Sequence, residues 1–197
     1  MLTPLEQVVA VGAILDSLDI AWVLGGSLAS SIVGEPRSTM DIDIAVRLPA
    51  ERVVELVDAV RGEYYVDESM ALDAVARHSS FNLIHSGTGM KVDLFALGDD
   101  PLDVRQLARR ERIVVDAEVS IWVGAADDQV LRKLRWYRMG GEVSERQWRD
   151  VLAILKVQGP RISTEELLVA ADPLGLADLV ERAVAEALDA PPGLGEL

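Results

Sequence analysis

The sequence of 197 residues contains no cysteine. This absence excludes a disulfide framework, a thiolate nucleophile and any zinc site that depends on thiolate ligands. Histidine is almost as scarce, because His78 and His85 are the only two, and two are too few for a histidine-rich metal cluster. Cysteine chemistry and histidine-cluster chemistry are therefore excluded.

Long apolar runs and a cationic leader are also missing. No apolar run approaches the roughly 18–20 residues that span a bilayer. The first residues, Met1 to Glu6, lack the cationic region and apolar stretch of a signal peptide. We therefore expect a cytoplasmic protein that does not interact with membranes.

Positive charge is scarce overall, since 19 basic residues stand against 33 acidic ones and the net charge is −14. Such acidity argues against broad, non-specific binding to nucleic acid. The exception is segment 101–139, which has 8 basic and 6 acidic residues. This cationic segment is where an anionic substrate would bind, and an ordinary solvated helix face is the alternative.

The order of local patterns predicts a mixed α/β core followed by helices. The strand-like runs cover residues 20–24, 41–46, 81–85, 90–95, 112–115 and 120–123. The helical patterns cover 3–18, 27–33, 49–60, 69–77, 101–110, 127–139, 144–157, 163–170 and 173–188. We predict a core domain over 1–125, a helical part over 126–189 and a disordered tail over 190–197.

Two glycines, Gly25 and Gly26, stand between a strand-like run and a helical one, and Ser27 follows them. Glycines let the backbone approach a ligand closely, and the N-terminus of the next helix offers unpaired amides to an anion. The segment is therefore a candidate phosphate-binding turn. Most Gly-Gly pairs are only turns, and that alternative stays open.

Three aspartates occur on two strand-like runs. Asp41 and Asp43 are two residues apart, so both carboxylates leave the same face of a strand. Hard oxygen ligands of this kind suit Mg²⁺, and a solvated acidic strand face is the alternative. Asp93 shares a face with Lys91 on a later run, so three carboxylates and a lysine converge if the two strands are neighbours.

The segment Gly25–Ser27 is followed by Gly34, Arg37, Thr39 and an Asp-Ile-Asp-Ile run at 41–44. This pattern resembles the signature of the polymerase-beta-type nucleotidyltransferase superfamily. The runs 80–85 and 91–95 are similar to the segment that carries the third aspartate of that superfamily. Residues 128–136, with 149–150, resemble its helical part. The resemblance covers residues 20–155 and is closest to minimal bacterial nucleotidyltransferases and abortive-infection toxin relatives.

This resemblance implies a small mixed twisted sheet with the active site on one face and a C-terminal helical bundle. It implies that Asp41 and Asp43 hold Mg²⁺ and, through it, a nucleoside triphosphate such as ATP. The segment Gly25–Ser27 would hold the terminal phosphates. Asp93 would complete a second metal site and accept the proton of the attacking hydroxyl, because two Mg²⁺ ions can stabilise both the attacking and the leaving oxygen.

Two cations are further candidates for nucleotide binding. Lys133 flanks the apolar stripe of its helix and could reach phosphates, with a lysine at the protein surface as the alternative. Arg37 could contact a phosphate or brace its loop by pairing with a carboxylate. Asp150 is interpreted as a structural partner of Arg146, one helical turn away.

We therefore predict an Mg²⁺-dependent nucleotidyltransferase that moves a nucleoside monophosphate to an acceptor hydroxyl on RNA, protein or a small molecule. In a toxin–antitoxin setting its partner would be an antitoxin protein. The alternatives are an antibiotic-type adenylyltransferase and a non-catalytic nucleotide-binding module. The 13 residues between Ser27 and Asp41 weigh against the antibiotic-type alternative, because the compact antibiotic-modifying members have a shorter spacing there.

Overall fold

The computed structural model describes residues 3–35, 39–116 and 119–189. Within these ranges the chain forms two compact units. One consists of residues 3–29 and 39–125, and the other of residues 30–35 and 126–189. The predicted domains over 1–125 and 126–189 stay a prediction, and the tail over 190–197 lies outside the described residues.

The described residues form strands and helices with the following bounds. The strands are β1 (Ala21–Leu24), β2 (Ile42–Arg47), β3 (Tyr64–Tyr65), β4 (Ser80–His85), β5 (Lys91–Ala96), β6 (Glu111–Asp116) and β7 (Val119–Val123). The α-helices are α1 (Pro4–Ser17), α2 (Gly26–Val33), α3 (Val53–Val60), α4 (Glu68–Arg77), α5 (Pro101–Ala108), α6 (Ala126–Met139), α7 (Glu145–Gln158), α8 (Thr164–Ala171) and α9 (Ala177–Asp189).

Helix α1 begins with a capping box formed by Thr3 and Glu6. The Thr3 hydroxyl accepts a hydrogen bond from the Glu6 amide at 3.2 Å, and the Glu6 carboxylate accepts one from the Thr3 amide at 2.6 Å. The hydrogen bond that the Thr3 amide donates to the carboxylate is the main cause that holds the pKa of Glu6 below its ordinary value, and the Thr3 side chain adds to it. Further along, a Cβ atom at Gly12 would lie 2.4 Å from the Trp22 ring, so the glycine lets α1 pack closely on β1.

The sheet has the strand order β3-β4-β5-β2-β1-β7-β6. Strand β2 is parallel to β5, and β1 is parallel to β7, whereas the other neighbours are antiparallel. The strand-like runs predicted over 81–85 and 90–95 form the hairpin of β4 and β5, joined by a turn over residues 86–89. This architecture confirms the predicted mixed sheet within an α/β fold.

Side chains alternate between the two faces of the sheet. Ile42, Ile44 and Leu94 are fully buried on the face against which α1 packs. On the opposite face, Leu107 of α5 packs with Val23 and Ala45. The adjoining part of that face carries the half-buried aspartates of β2 and β5. This end of the face is therefore available for polar chemistry.

The structure differs locally from the elements that the sequence predicts. The two-residue strand β3 has too short a pattern to be detected in the sequence. The helix predicted from Pro49 begins as a 3₁₀ turn over Ala50–Arg52 before α3. The helix predicted over 173–188 is interrupted, because Gly175 adopts a left-handed φ of 65° after a 3₁₀ turn and α9 begins at Ala177.

The second unit packs its helices around Trp148, which is 9% exposed. The Arg182 guanidinium lies 3.8 Å from the centre of the Trp148 ring, and the indole N–H donates to Glu186 at 2.9 Å. Arg138 donates hydrogen bonds to both carboxylate oxygens of Asp178. None of the helices in the described ranges has the length and apolar character needed to cross a bilayer.

Tyr64 is the basis of a pH prediction for the first unit. Its side chain is 2% exposed and its hydroxyl donates to Gln7 at 2.7 Å. Burial raises the pKa of Tyr64 to about 12, and the nearby Glu63 charge adds to this effect. Between pH 10 and 12 the unfolded chain therefore loses a proton that the native state retains. We expect the free energy of unfolding to fall by up to about 2–3 kcal/mol over that interval.

Chemical unfolding at pH 9, 10, 11 and 12 checks this expectation. Tyr64→Phe should flatten the decline, whereas Tyr65→Phe should keep it, since the Tyr65 side chain is 64% exposed. An equally steep decline in Tyr64→Phe would show that another group causes it.

Candidate functional site

The predicted phosphate-binding turn joins β1 to α2. The Gly25 amide donates to the Asp43 carbonyl at 2.8 Å, which fixes the turn beside β2. Gly26 begins α2 with a φ of 60°, a left-handed conformation that favours glycine. A Cβ atom at this position would lie 1.7 Å from Asp43 Oδ2. The backbone of Gly26 therefore lies directly against the Asp43 carboxylate, and only glycine fits there.

Ser27 follows in the first turn of α2 and is 7% exposed. The amides of a first helical turn have no partner within their own helix and carry the positive end of the helix dipole. The turn Gly25–Ser27 thus combines a close backbone approach with donors suited to phosphate. Its role in binding the terminal phosphates stays a prediction.

Asp43 and Asp93 lie opposite each other on the parallel strands β2 and β5. Neighbouring strands are about 4.8 Å apart, and opposed residues share a face, so the two carboxylates are close neighbours. Asn82 of β4 lies opposite Asp93 on the other side, so an amide extends the row. Sequence reasoning missed Asn82, although it is the central polar residue of the alternating run Ser80–His85.

Asp41 lies one residue before β2, rather than within it as the sequence predicts. It is exposed, and its amide donates to the Thr39 hydroxyl at 3.2 Å. Because Ile42 is opposite Val92, Asp41 comes to the end of the sheet at which β5 begins. Asp41 is therefore at the edge of the site, whereas Asp43 is inside it.

Lys91 opens β5, two residues before Asp93 and on the same face. Its ammonium lies 3.0 Å from Asp93 Oδ2, as expected for two residues that share a strand face. The Lys91 side chain is 54% exposed and that of Asp93 is 19% exposed. The site therefore brings together two opposed carboxylates and one cation, with a third carboxylate nearby.

These residues can be tested for their fit to Mg²⁺. In the described ranges, no three acidic or histidine side chains form a group able to hold a metal ion. Mg²⁺ in phosphoryl-transfer sites commonly uses one or two carboxylates and completes its shell with water and substrate phosphates. Asp43 and Asp93, with the tight glycine turn beside Asp43, fit one such ion. The three-carboxylate group expected for two ions is not preformed.

Lys133 lies in the second unit, on α6, and is 5% exposed. Its ammonium donates to Asp150 Oδ2 of α7 at 2.7 Å and to Gln147 Oε1 at 3.4 Å. The surface-lysine alternative is therefore wrong, and Asp150 is a structural partner of Lys133. Pairing of Asp150 with Arg146 stays a prediction. Contact between Lys133 and a triphosphate stays a prediction.

The remaining candidates are one arginine and two histidines. Arg37 lies outside the described residues, so its proposed phosphate contact stays a prediction. His78 ends α4 with a left-handed φ of 50°. His85 Nδ1 lies 2.9 Å from the Thr88 hydroxyl in the turn of the β4–β5 hairpin. Both histidines are therefore found in chain reversals, away from the carboxylate pair.

Comparison with solved structures defines the class of fold. An antigenic nucleotidyltransferase-like protein from Paracoccidioides brasiliensis superposes with a TM-score of 0.58 at 17% identity, over 93% of this chain and 91% of its own. The antibiotic-resistance factor ANT(2″)-Ia gives a TM-score of 0.51 at 17% identity, over 93% of this chain and 92% of its own. The chain therefore has the nucleotidyltransferase fold, as its sequence resemblance predicts.

A protein from Thermotoga maritima classed with the nucleotidyltransferases gives a TM-score of 0.50 at 21% identity, over 76% of this chain and 96% of its own. No protein-family model and no curated protein sequence matches the chain. The similarity is therefore one of fold, and any catalytic activity depends on the residues at the site.

Proposed function

We propose that the protein is an Mg²⁺-dependent nucleotidyltransferase, which transfers a nucleoside monophosphate from a triphosphate to an acceptor hydroxyl. The observation that carries the proposal is the opposition of Asp43 and Asp93 directly beside the turn that begins at Gly25. A nucleotidyltransferase fold alone leaves chemistry open, because folds host many functions. Carboxylates and a phosphate-binding turn at one end of one sheet face favour phosphoryl transfer in particular.

In the proposed reaction an acceptor oxygen forms a bond to the α-phosphorus. The bond from that phosphorus to the bridging oxygen breaks at the same time, and pyrophosphate leaves. Asp93 takes the proton of the acceptor hydroxyl, since a carboxylate near the attacking oxygen can act as general base. The amides of Gly26 and Ser27 hold the terminal phosphates and so orient the leaving group.

Asp43 would hold the Mg²⁺ ion, with Asp41 and Asp93 as the neighbouring oxygen ligands. When bound, the ion supplies positive charge to the phosphate oxygens and lowers the barrier to displacement. We also propose that Lys133 binds the triphosphate, with Asp150 orienting its ammonium. Arg37 is proposed as a further phosphate ligand on the strength of the sequence resemblance.

Adenylylation of a small molecule of the antibiotic type is the second candidate function. It is favoured by the similarity in fold to ANT(2″)-Ia, which extends over almost the whole chain. The sequence resemblance also implies a toxin role, in which the protein would modify RNA or another protein. An antitoxin protein would neutralise it. A nucleotide-binding module without turnover is the third candidate.

The test is incubation with each α-labelled triphosphate, Mg²⁺ and either a cell extract or an aminoglycoside panel. We expect label in one acceptor fraction, and a loss of at least about 10²-fold in Asp43→Asn. The fraction that takes up label distinguishes the small-molecule acceptor from RNA or protein. Growth arrest on expression, relieved in Asp43→Asn, is the readout for the toxin role.

The control for this test is Asp99→Asn. Asp99 belongs to the same unit and pairs with Arg47 at 2.9 Å, but its side chain is 94% exposed and it follows β5 at the opposite end from Lys91. Its removal should leave transfer unchanged. Triphosphate binding with no label in any fraction would instead support the non-catalytic module.

A further inference from the structure

The Lys91–Asp93 ion pair contributes little to folding. The Lys91 side chain is 54% exposed and that of Asp93 is 19% exposed, and ion pairs open to solvent stabilise proteins by about 0–1 kcal/mol, because solvent screens their attraction. Several other surface pairs in the described residues, such as Arg77 with Asp73 at 2.8 Å, join charges one helical turn apart. The Lys91–Asp93 pair differs from these helical pairs in its location. It lies on the sheet, where Asp43 and Asp93 of two neighbouring strands are opposite each other.

The position of the Lys91 ammonium has an electrostatic consequence. Two carboxylates held on adjacent strands repel each other unless a cation is nearby. Lys91 supplies that cation from within the chain, and it does so at Asp93 Oδ2, at 3.0 Å. One oxygen of the carboxylate that a second metal ion would need is therefore already bound by an ammonium.

We propose that the Lys91 ammonium takes the place of a second divalent cation at Asp93, so that the site binds a single Mg²⁺ ion. This inference rests on the proposed function, and it replaces the expectation of two ions. The geometry supports it, because the ammonium lies 3.0 Å from Asp93 Oδ2 while Asp43 lies opposite Asp93 on the neighbouring strand. The absence of a preformed three-carboxylate group among the described residues points in the same direction.

The proposal also gives Lys91 a positioning role toward Asp93. An ammonium on Oδ2 fixes the rotation of the carboxylate and leaves Oδ1 to face the acceptor or the bound ion. Lys91 can form this pair without moving any core side chain, because residues two apart on a strand share a face. The neighbouring Val92 and Leu94 are fully buried on the other face and hold the backbone in register.

The test counts bound Mn²⁺, a paramagnetic substitute for Mg²⁺, by equilibrium dialysis with electron paramagnetic resonance of the free ion. We expect one Mn²⁺ per wild-type chain and two per chain in Lys91→Gln. Lys91→Arg retains the cation and should still bind one. Lys156→Gln removes the same charge from an exposed position on α7 and controls for the change in net charge.

A second pair of variants ties the effect to Asp93. In the Asp93→Asn background, Lys91→Gln should add no second ion, because the carboxylate that would hold it is gone. Circular dichroism of each variant checks that the fold is retained, as expected for a half-exposed side chain.

The remaining outcomes distinguish this inference from the proposed function. Two Mn²⁺ ions bound to the wild type would overturn the role of Lys91, and so would one ion bound to both the wild type and Lys91→Gln. Either result would remain compatible with the proposed metal-dependent transferase. No site-specific Mn²⁺ in any variant, with or without a non-hydrolysable triphosphate, would overturn the metal-dependent function together with the inference.

Discussion

Gly26→Ala is expected to reduce nucleotidyl transfer and Mn²⁺ binding by at least about 10²-fold in a chain that still folds. The added Cβ atom would lie 1.7 Å from Asp43 Oδ2 and 2.6 Å from Asp43 Cγ, so the carboxylate has to leave its place. The left-handed φ of 60° adds a backbone cost of about 1–2 kcal/mol. Displacing Asp43 affects the site far more than this cost affects the fold.

Gly89→Ala is the matched control for this prediction. Gly89 belongs to the same unit and has a φ of 70°, but a Cβ atom added there would meet nothing within 4 Å. The two variants therefore share the backbone cost and differ in the clash with Asp43. Urea unfolding and Mn²⁺ titration of both separate the two effects. Full Mn²⁺ binding by Gly26→Ala would show that the Asp43 carboxylate is not the ligand we propose.

Strong local signals account for the part of the fold that the sequence predicts well. The capping box of Thr3 and Glu6 begins a helix wherever it is followed by apolar residues at helical spacing. The turn at 86–89 lies between two alternating runs and can hardly form anything but a hairpin. The alternation at 41–46 likewise indicates which side chains of the strand point inward, although β2 begins one residue later.

The parts that were not predictable depend on contacts between distant segments. Nothing near Asp43 in the sequence tells which strand lies beside β2, and therefore the opposition to Asp93 appears only in the sheet order. The position of Asn82 beside Asp93 also depends on the sheet order, because Asn82 lies on β4, two strands away from Asp43. Asp150 accepts a hydrogen bond from Lys133, which is 17 residues distant on another helix, and helical spacing does not indicate such a partner.

Lys133→Met is expected to destabilise the protein by about 3–5 kcal/mol, the usual cost of leaving one charge of a buried pair alone. The Lys133 and Asp150 side chains are 7% and 9% exposed, so water screens their 2.7 Å contact very little. Asp150→Leu should cost a similar amount. The double variant Lys133→Met with Asp150→Leu should recover most of the loss, because well-packed apolar residues can replace a buried ion pair.

The double variant also tests the proposed contact between Lys133 and the triphosphate, since it removes the ammonium from a chain that remains folded. Loss of this charged hydrogen bond should weaken triphosphate binding by about 1–3 kcal/mol, measured by isothermal titration. Lys156→Met, exposed on α7, is the control and should change neither stability nor binding. Unchanged triphosphate affinity in the double variant would limit Lys133 to holding α6 against α7. If the double variant were as unstable as either single one, the cost would come from lost packing rather than from an unpaired charge.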